Sequence, residues 1–235
     1  MKLHTLSAAL LLICGSAAQA ATTADISVGG TVKPTSCTLT MNGATDAVVD
    51  YGIIDPNTLS ADAYTPLAVK TIPLRIECDA ATSLSLDAID NKGSTNTLTG
   101  NVDTSAASGY STADTDYLFG LGSNGSGGIG AYSLALEHAS LKVDGNAASF
   151  AYSSSNGSSW GHYPDAGNGT FGKGSRGTAP YWATWVANAT SKVPLVGSTF
   201  EGNLKVMAII DKKSNLNIQN DVTLNGSATV EIHYL

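Results

Sequence analysis

Charge is scarce in this chain: Asp, Glu, Lys and Arg make up 13% of its 235 residues, and acidic side chains outnumber basic ones by 19 to 12. So few Lys and Arg provide no clustered basic surface for phosphates, which argues against nucleic acid as a partner. Cysteine is scarcer still, with three residues and no Cys-x-x-Cys among them, so a thiol redox centre has no seat. No two of His138, His162 and His233 have metal-ligand spacing. Asp114-x-Asp116 and Asp144-Gly145-Asn146 read as turn chemistry, because neither continues as a calcium loop. No Ser/His/Asp order, acid–base carboxylate pair or nucleophile elbow stands out. The chain is therefore expected not to be an enzyme and to need no cofactor. Gly120 to Gly125 formally fits G-x-G-x-x-G, but with no βαβ unit around it a glycine-rich hairpin loop is expected. Beyond the first twenty residues no apolar run approaches the ~18 residues of a spanning helix, and no long helical stripe is found.

What is present begins with a secretory signal over residues 1–20. Lys2 opens it, an apolar run follows from Leu6 to Ile13, and Ala18-Gln19-Ala20 is a small-residue cleavage site. Lipidation at Cys14 is the rival processing, disfavoured by Ile13 where a small residue is required. An exported mature chain starting at Ala21 retains Cys37 and Cys78, an even pair for which a disulfide is the default. Such a bridge would restrict the unfolded chain by roughly 4 kcal/mol.

Period-two alternation runs from end to end. Cys37, Leu39 and Met41 share one strand face, and Ile72, Leu74, Ile76 and Cys78 share another, so both cysteines are in phase with inward apolar residues. Pro73 lacks a ladder donor, which predicts an edge or a bulge in its strand. Further strands are expected at 48–53, 83–88, 117–121, 130–136, 149–152, 181–187 and 203–210, with Asn42-Gly43, Asp144-Gly145, Asn156-Gly157 and Asn225-Gly226 as left-handed turn pairs. Many short strands with frequent turns predict an all-β sandwich. Two stretches, 91–116 and 153–179, are rich in Gly, Ser, Thr and Asn and read as long surface loops.

The two termini carry the functional signal. Ala228, Val230, Ile232 and Tyr234 alternate with Thr229, Glu231 and His233, forming a half-apolar strand that predicts an unpaired edge and places His233 in solvent. Ahead of Cys37, an extension over residues 21–36 alternates Ala24, Ile26, Val28, Gly30 and Val32 with polar residues. It reads either as the domain's own first strand or as a strand donated to a neighbour, with Ile26 and Val28 filling apolar sockets at roughly 1.5–3 kcal/mol each.

Val28-x-Gly30-x-Val32 followed by Cys37, the inward Cys78, and the C-terminal alternation with penultimate Tyr234 resemble chaperone–usher pilins. Val49-Asp50-Tyr51-Gly52, Phe119-Gly120-Leu121-Gly122 and Leu224-Asn225-Gly226-Ser227-Ala228-Thr229 are most similar to a less-characterised fimbrial-like group of that superfamily. The resemblance implies an incomplete immunoglobulin-like β-sandwich of pilin type over residues 37–235. It implies export through the periplasm to a fimbrium at the bacterial cell surface. The implied partners are a periplasmic pilus chaperone facing Val230, Ile232 and Tyr234, an outer-membrane usher, and neighbouring pilin subunits receiving Ile26 and Val28. The sixteen-residue extension is short for a donor arm and the loops are long for a simple shaft subunit. A tip adhesin or carbohydrate-binding surface protein is the alternative, using Trp160 and one of Trp182 and Trp185, which fall on opposite faces of a strand.

Overall fold

The structure, a computed structural model, describes residues 24–31, 35–109, 117–125, 127–162, 169–171 and 181–235. The signal segment with Cys14, the position of Val32 and the Asp114-x-Asp116 pair lie outside these residues. Residues 24–31 belong to a unit separate from the body that starts at Thr35, and they carry no strand.

The body is an all-β sandwich of two antiparallel sheets. The first sheet has the path β1 (Cys37–Met41), β3 (Lys70–Thr82), β12 (Gly197–Ile210), β6 (Gly130–Leu136) and β10 (Gly169–Thr170). Four short strands join it: β2 (Thr65–Pro66), β5 (Phe119–Gly120), β7 (Lys142–Val143) and β8 (Asn146–Ala147). The second sheet has the order β13 (Ala228–Tyr234), β4 (Leu84–Asp90), β11 (Trp182–Val186) and β9 (Ser149–Ser153). Alternation sets the layers: Leu74 and Ile76 from one sheet and Leu84, Leu86 and Trp185 from the other meet in the core and are almost wholly buried.

The disulfide joins Cys37 to Cys78 across β1 and β3, which pair in register. Asn42-Gly43, Asp144-Gly145 and Asn156-Gly157 all have positive φ, as their turns require. Asn225-Gly226 does not. That pair packs instead against the Phe119–Gly122 motif, with the Asn225 N–H donating to Leu121 O at 3.1 Å.

Three other expectations are corrected. Pro73 lies in a strand with neighbours on both sides, but β1 stops at Met41 and the Pro73 carbonyl takes the Asn42 N–H at 2.7 Å. Its missing donor therefore falls where β1 has ended and costs no ladder bond. Residues 48–53 enter no strand, although 48–52 still alternate between exposed and half-buried. The 91–116 stretch is not all surface: Leu98, Val102 and Ala107, the last in helix α1 (Ser105–Ser108), pack with Met207 and Ile209 into a second apolar cluster on the outer face of the first sheet. In the other long stretch, Phe171 is 1% exposed.

Candidate functional groove

One long edge of the sandwich is open. Among the described residues β13 pairs only with β4, and β1 pairs with β3 and, beyond the Asn42-Gly43 turn, bridges from Met41 to Ala44, so on this side the backbone edge of β13 is free and that of β1 is free around Leu39. Between them lies an apolar cleft of about 300 Å³. Met41 and Val49 stand on one lip, Ala228 and Val230 on the other, with Leu134 and Val206 from the facing sheet behind them. The inward side chains of the rims, Leu39, Met41, Val230 and Ile232, touch the core but are only half-buried. A second cleft of about 680 Å³ continues the first past Tyr51 and Leu224 to Ile53, Ile210 and Leu216.

The segment Val49-Asp50-Tyr51-Gly52 builds one lip without being a strand. Tyr51 Oη donates to Val206 O at 3.2 Å and accepts the Ala208 N–H at 3.0 Å. It thus fills the gap on the β12 edge between its pairings with β3 and β2. Burial pushes the Tyr51 phenol above its ordinary pKa, the Ala208 amide pulling weakly the other way, so the hydroxyl stays available as a donor. Asp50 Oδ1 accepts the Gly52 N–H at 2.7 Å, and Gly52 has φ +65°, a local turn that glycine adopts without strain. Val49 is left facing the cleft.

Phe119-Gly120-Leu121-Gly122 and Leu224-Asn225-Gly226 meet at the same end of the groove. A side chain at Gly122, whose φ is +98°, would collide with Asn225 Oδ1, and one at Gly226 would collide with the Tyr132 ring. Asn91 Nδ2 donates to Ser227 Oγ and Thr229 Oγ1, both at 3.1 Å, fixing where β13 begins. Three segments far apart in the chain therefore converge on the rim and floor of one cleft. Their convergence was not readable from the linear order; its signal was that all three are glycine-bearing and flank apolar alternation.

At the opposite end the groove is closed. The Cys37 N–H donates to Tyr234 Oη at 2.9 Å, tying the start of β1 to the end of β13. Ile26 and Val28 lie in the 24–31 segment, 91% and 97% exposed.

The remaining sites read from the sequence separate in space. His233 is half-buried rather than solvated: its ring stacks on Trp182 with centroids 4.1 Å apart, and its Nε2 is buried without a hydrogen-bond partner. Ser85 Oγ, on the facing strand, also lacks a partner, so these groups form no proton relay with Asp87. Burial raises the Asp87 carboxyl above the usual range; the Ala88 N–H and His233 lower it and Glu231 raises it. His138 Nε2 lies 2.8 Å from Ser149 Oγ. No three His, Cys, Asp or Glu among the described residues are arranged to hold a metal ion. Trp185 is in the core, donating to Glu201 O at 3.0 Å, whereas Trp182 has one face under His233. Asp144 Oδ1 accepts the Ser198 and Thr199 N–H groups, a structural role for that acidic turn.

Residues 26–133 match a family described as a protein of unknown function (DUF1120). The chain is 30% identical over 158 residues to the uncharacterized protein YhcF of Escherichia coli (strain K12), a match covering 61% of this chain and 64% of that relative. No solved structure matches.

Proposed function

We propose that this chain is a structural subunit of a chaperone–usher fimbrium, polymerising by donation of its 21–36 extension into the groove of a neighbour and contributing to surface adhesion. The observation that carries the reading is the apolar cleft between β1 and the free edge of β13, with half-buried Val230 and Ile232 on its rim. An extended segment laid there gains ladder hydrogen bonds along an open edge and buries alternate side chains. Ile26 and Val28 have the required spacing and exposure. In this reading a periplasmic chaperone lends a strand beside Val230, Ile232 and Tyr234 until, at the outer-membrane usher, a neighbouring subunit's Ile26 and Val28 replace it. The protein then acts at the cell surface without catalysis, and the Cys37–Cys78 bridge holds the rim strand β1 to the core while the groove is empty.

The carbohydrate-binding alternative gains no specific support from Trp182 and Trp185, since Trp185 is buried and Trp182 is stacked on His233; Trp160 is half-buried. The test is deletion of residues 21–28. The shortened protein should be exported and co-purify one-to-one with an immunoglobulin-like chaperone, yet form no fibres. Normal fibres from the deletion would contradict the proposal.

A further inference from the structure

The large apolar side chains that stand far out in solvent among the described residues are not scattered over the sandwich. Ile26 and Val28 are on the extension, Val48 and Ile53 border the groove, and Val193, Val196, Tyr234 and Leu235 complete the set. Strand register sorts the body residues into two opposite ends. Gly197 pairs with Thr82, Tyr234 with Leu84 and Cys37 with Cys78, which puts Val193, Val196 and Leu235 at the disulfide end. Ile53 lines the continuation of the groove with Ile210 and Leu216, at the far end of β12. Each end thus carries an uncovered apolar pair, Val193 with Val196 at 72% and 64% exposure, and Ile53 with Val48 at 103% and 89%.

Covalent connectivity decides how such ends could meet. The extension leaves the body at Cys37, the end that the Tyr234 hydroxyl closes. A neighbour's extension lying in the groove antiparallel to β13, the direction the proposal takes, keeps its own body at the open end, beside Ile53. Six residues, Thr31 to Ser36, separate Gly30 from Cys37. Fully extended they span about 20 Å, which holds the two bodies close.

We propose that Val193 and Val196 of one copy pack against Ile53 and Val48 of the next, a head-to-tail contact between second copies of this chain. It rests on the strand-donation reading above. Two small apolar pairs of this kind cover far less than the roughly 1,000 Å² of a stable independent interface. The contact forms because the donated strand supplies an effective concentration in the millimolar range. It orients consecutive subunits, and bodies lacking the extension do not associate through it.

The experiment is a disulfide trap in assembled fibres. Ile53→Cys combined with Val193→Cys, and with Val196→Cys, is oxidised and run without reductant after boiling in detergent. The expected result is a covalent ladder roughly ten-fold above a control pair joining Ile53→Cys to Thr71→Cys on the outer sheet face, as tethered proximity requires. The ladder should disappear on reduction. Fibres that assemble normally but give no ladder from either pair would overturn the contact and leave strand donation standing. If the unsubstituted protein makes no fibres, both proposals fall. Val193→Asp with Val196→Asp gives a second reading: fibres should still form but bend more readily in electron micrographs, and unchanged persistence length would count against the contact.

Discussion

β4 and β13 lie side by side in one sheet, with the same length and the same alternation, yet they are different objects. Leu84, Leu86 and Ala88 of β4 are completely buried, and even its outward Ser85 and Asp87 are out of solvent. Ala228, Val230 and Ile232 of β13, pointing to the same interior, are only half-buried. The difference lies in what each strand has beside it. β4 is flanked by β13 and β11, whereas among the described residues β13 has β4 alone and faces β1 across the cleft. Burial in a sandwich depends on neighbours, and this one closes on its far side, where Phe150 and Phe171 are buried, but not on this one.

The largest effect should come from cutting the link between the open rim and the closed core. Replacing Cys37 and Cys78 together by Ser releases a crosslink spanning 41 residues of sequence. The expected cost is about 4 kcal/mol by loop entropy, a fall in Tm on the order of 10 °C by calorimetry. Next come matched truncations on the two strands. Leu86→Ala should cost about 3 kcal/mol, as a fully enclosed leucine does, while Ile232→Ala should cost about 1 kcal/mol because much of its surface is already wet. Equal losses in urea titration would mean that the rim is as tightly packed as the core.

The smallest effect concerns pH and the hidden outer face of β4. Burial raises the Asp87 carboxyl in the folded protein, against the pull of the Ala88 N–H and His233 and with the push of Glu231. The native state then holds the proton more tightly than the unfolded chain, so stability declines as pH rises from the ordinary carboxylate range through the raised value. Asp87→Asn should flatten that decline and raise Tm at neutral pH. Glu231→Gln, on exposed β13, should change the profile little. An unchanged pH profile in Asp87→Asn would remove the effect.

Much of the architecture was legible beforehand. Gly130 to Leu136 was read with its observed boundaries, and Cys37 to Met41 with its inward face and disulfide. These segments are regular because period-two alternation faces a single core. The failures have local causes. Tyr51 completes the β12 ladder with a side-chain hydroxyl, while 48–53 enters no strand. Asn225-Gly226 looked like a hairpin turn but its conformation is set by contact with Gly122 and Tyr132. His233 alternated as a polar residue, and nothing in the order of residues showed that Trp182 would lie flat against it. The cleft was anticipated only as an unpaired final strand; that β1, Tyr51 and the Phe119–Gly122 turn would form its other walls depended on long-range packing.

The central claim is that the cleft between β1 and β13 accepts a foreign strand. Its most direct measurement is hydrogen exchange on the protein lacking residues 21–28, titrated with a synthetic peptide of residues 24–32. Saturable slowing of amide exchange along β13 and residues 47–51, lost when Ile26 and Val28 of the peptide are both Asp, is the result expected. Protection that is absent, or identical with the doubly substituted peptide, would contradict it.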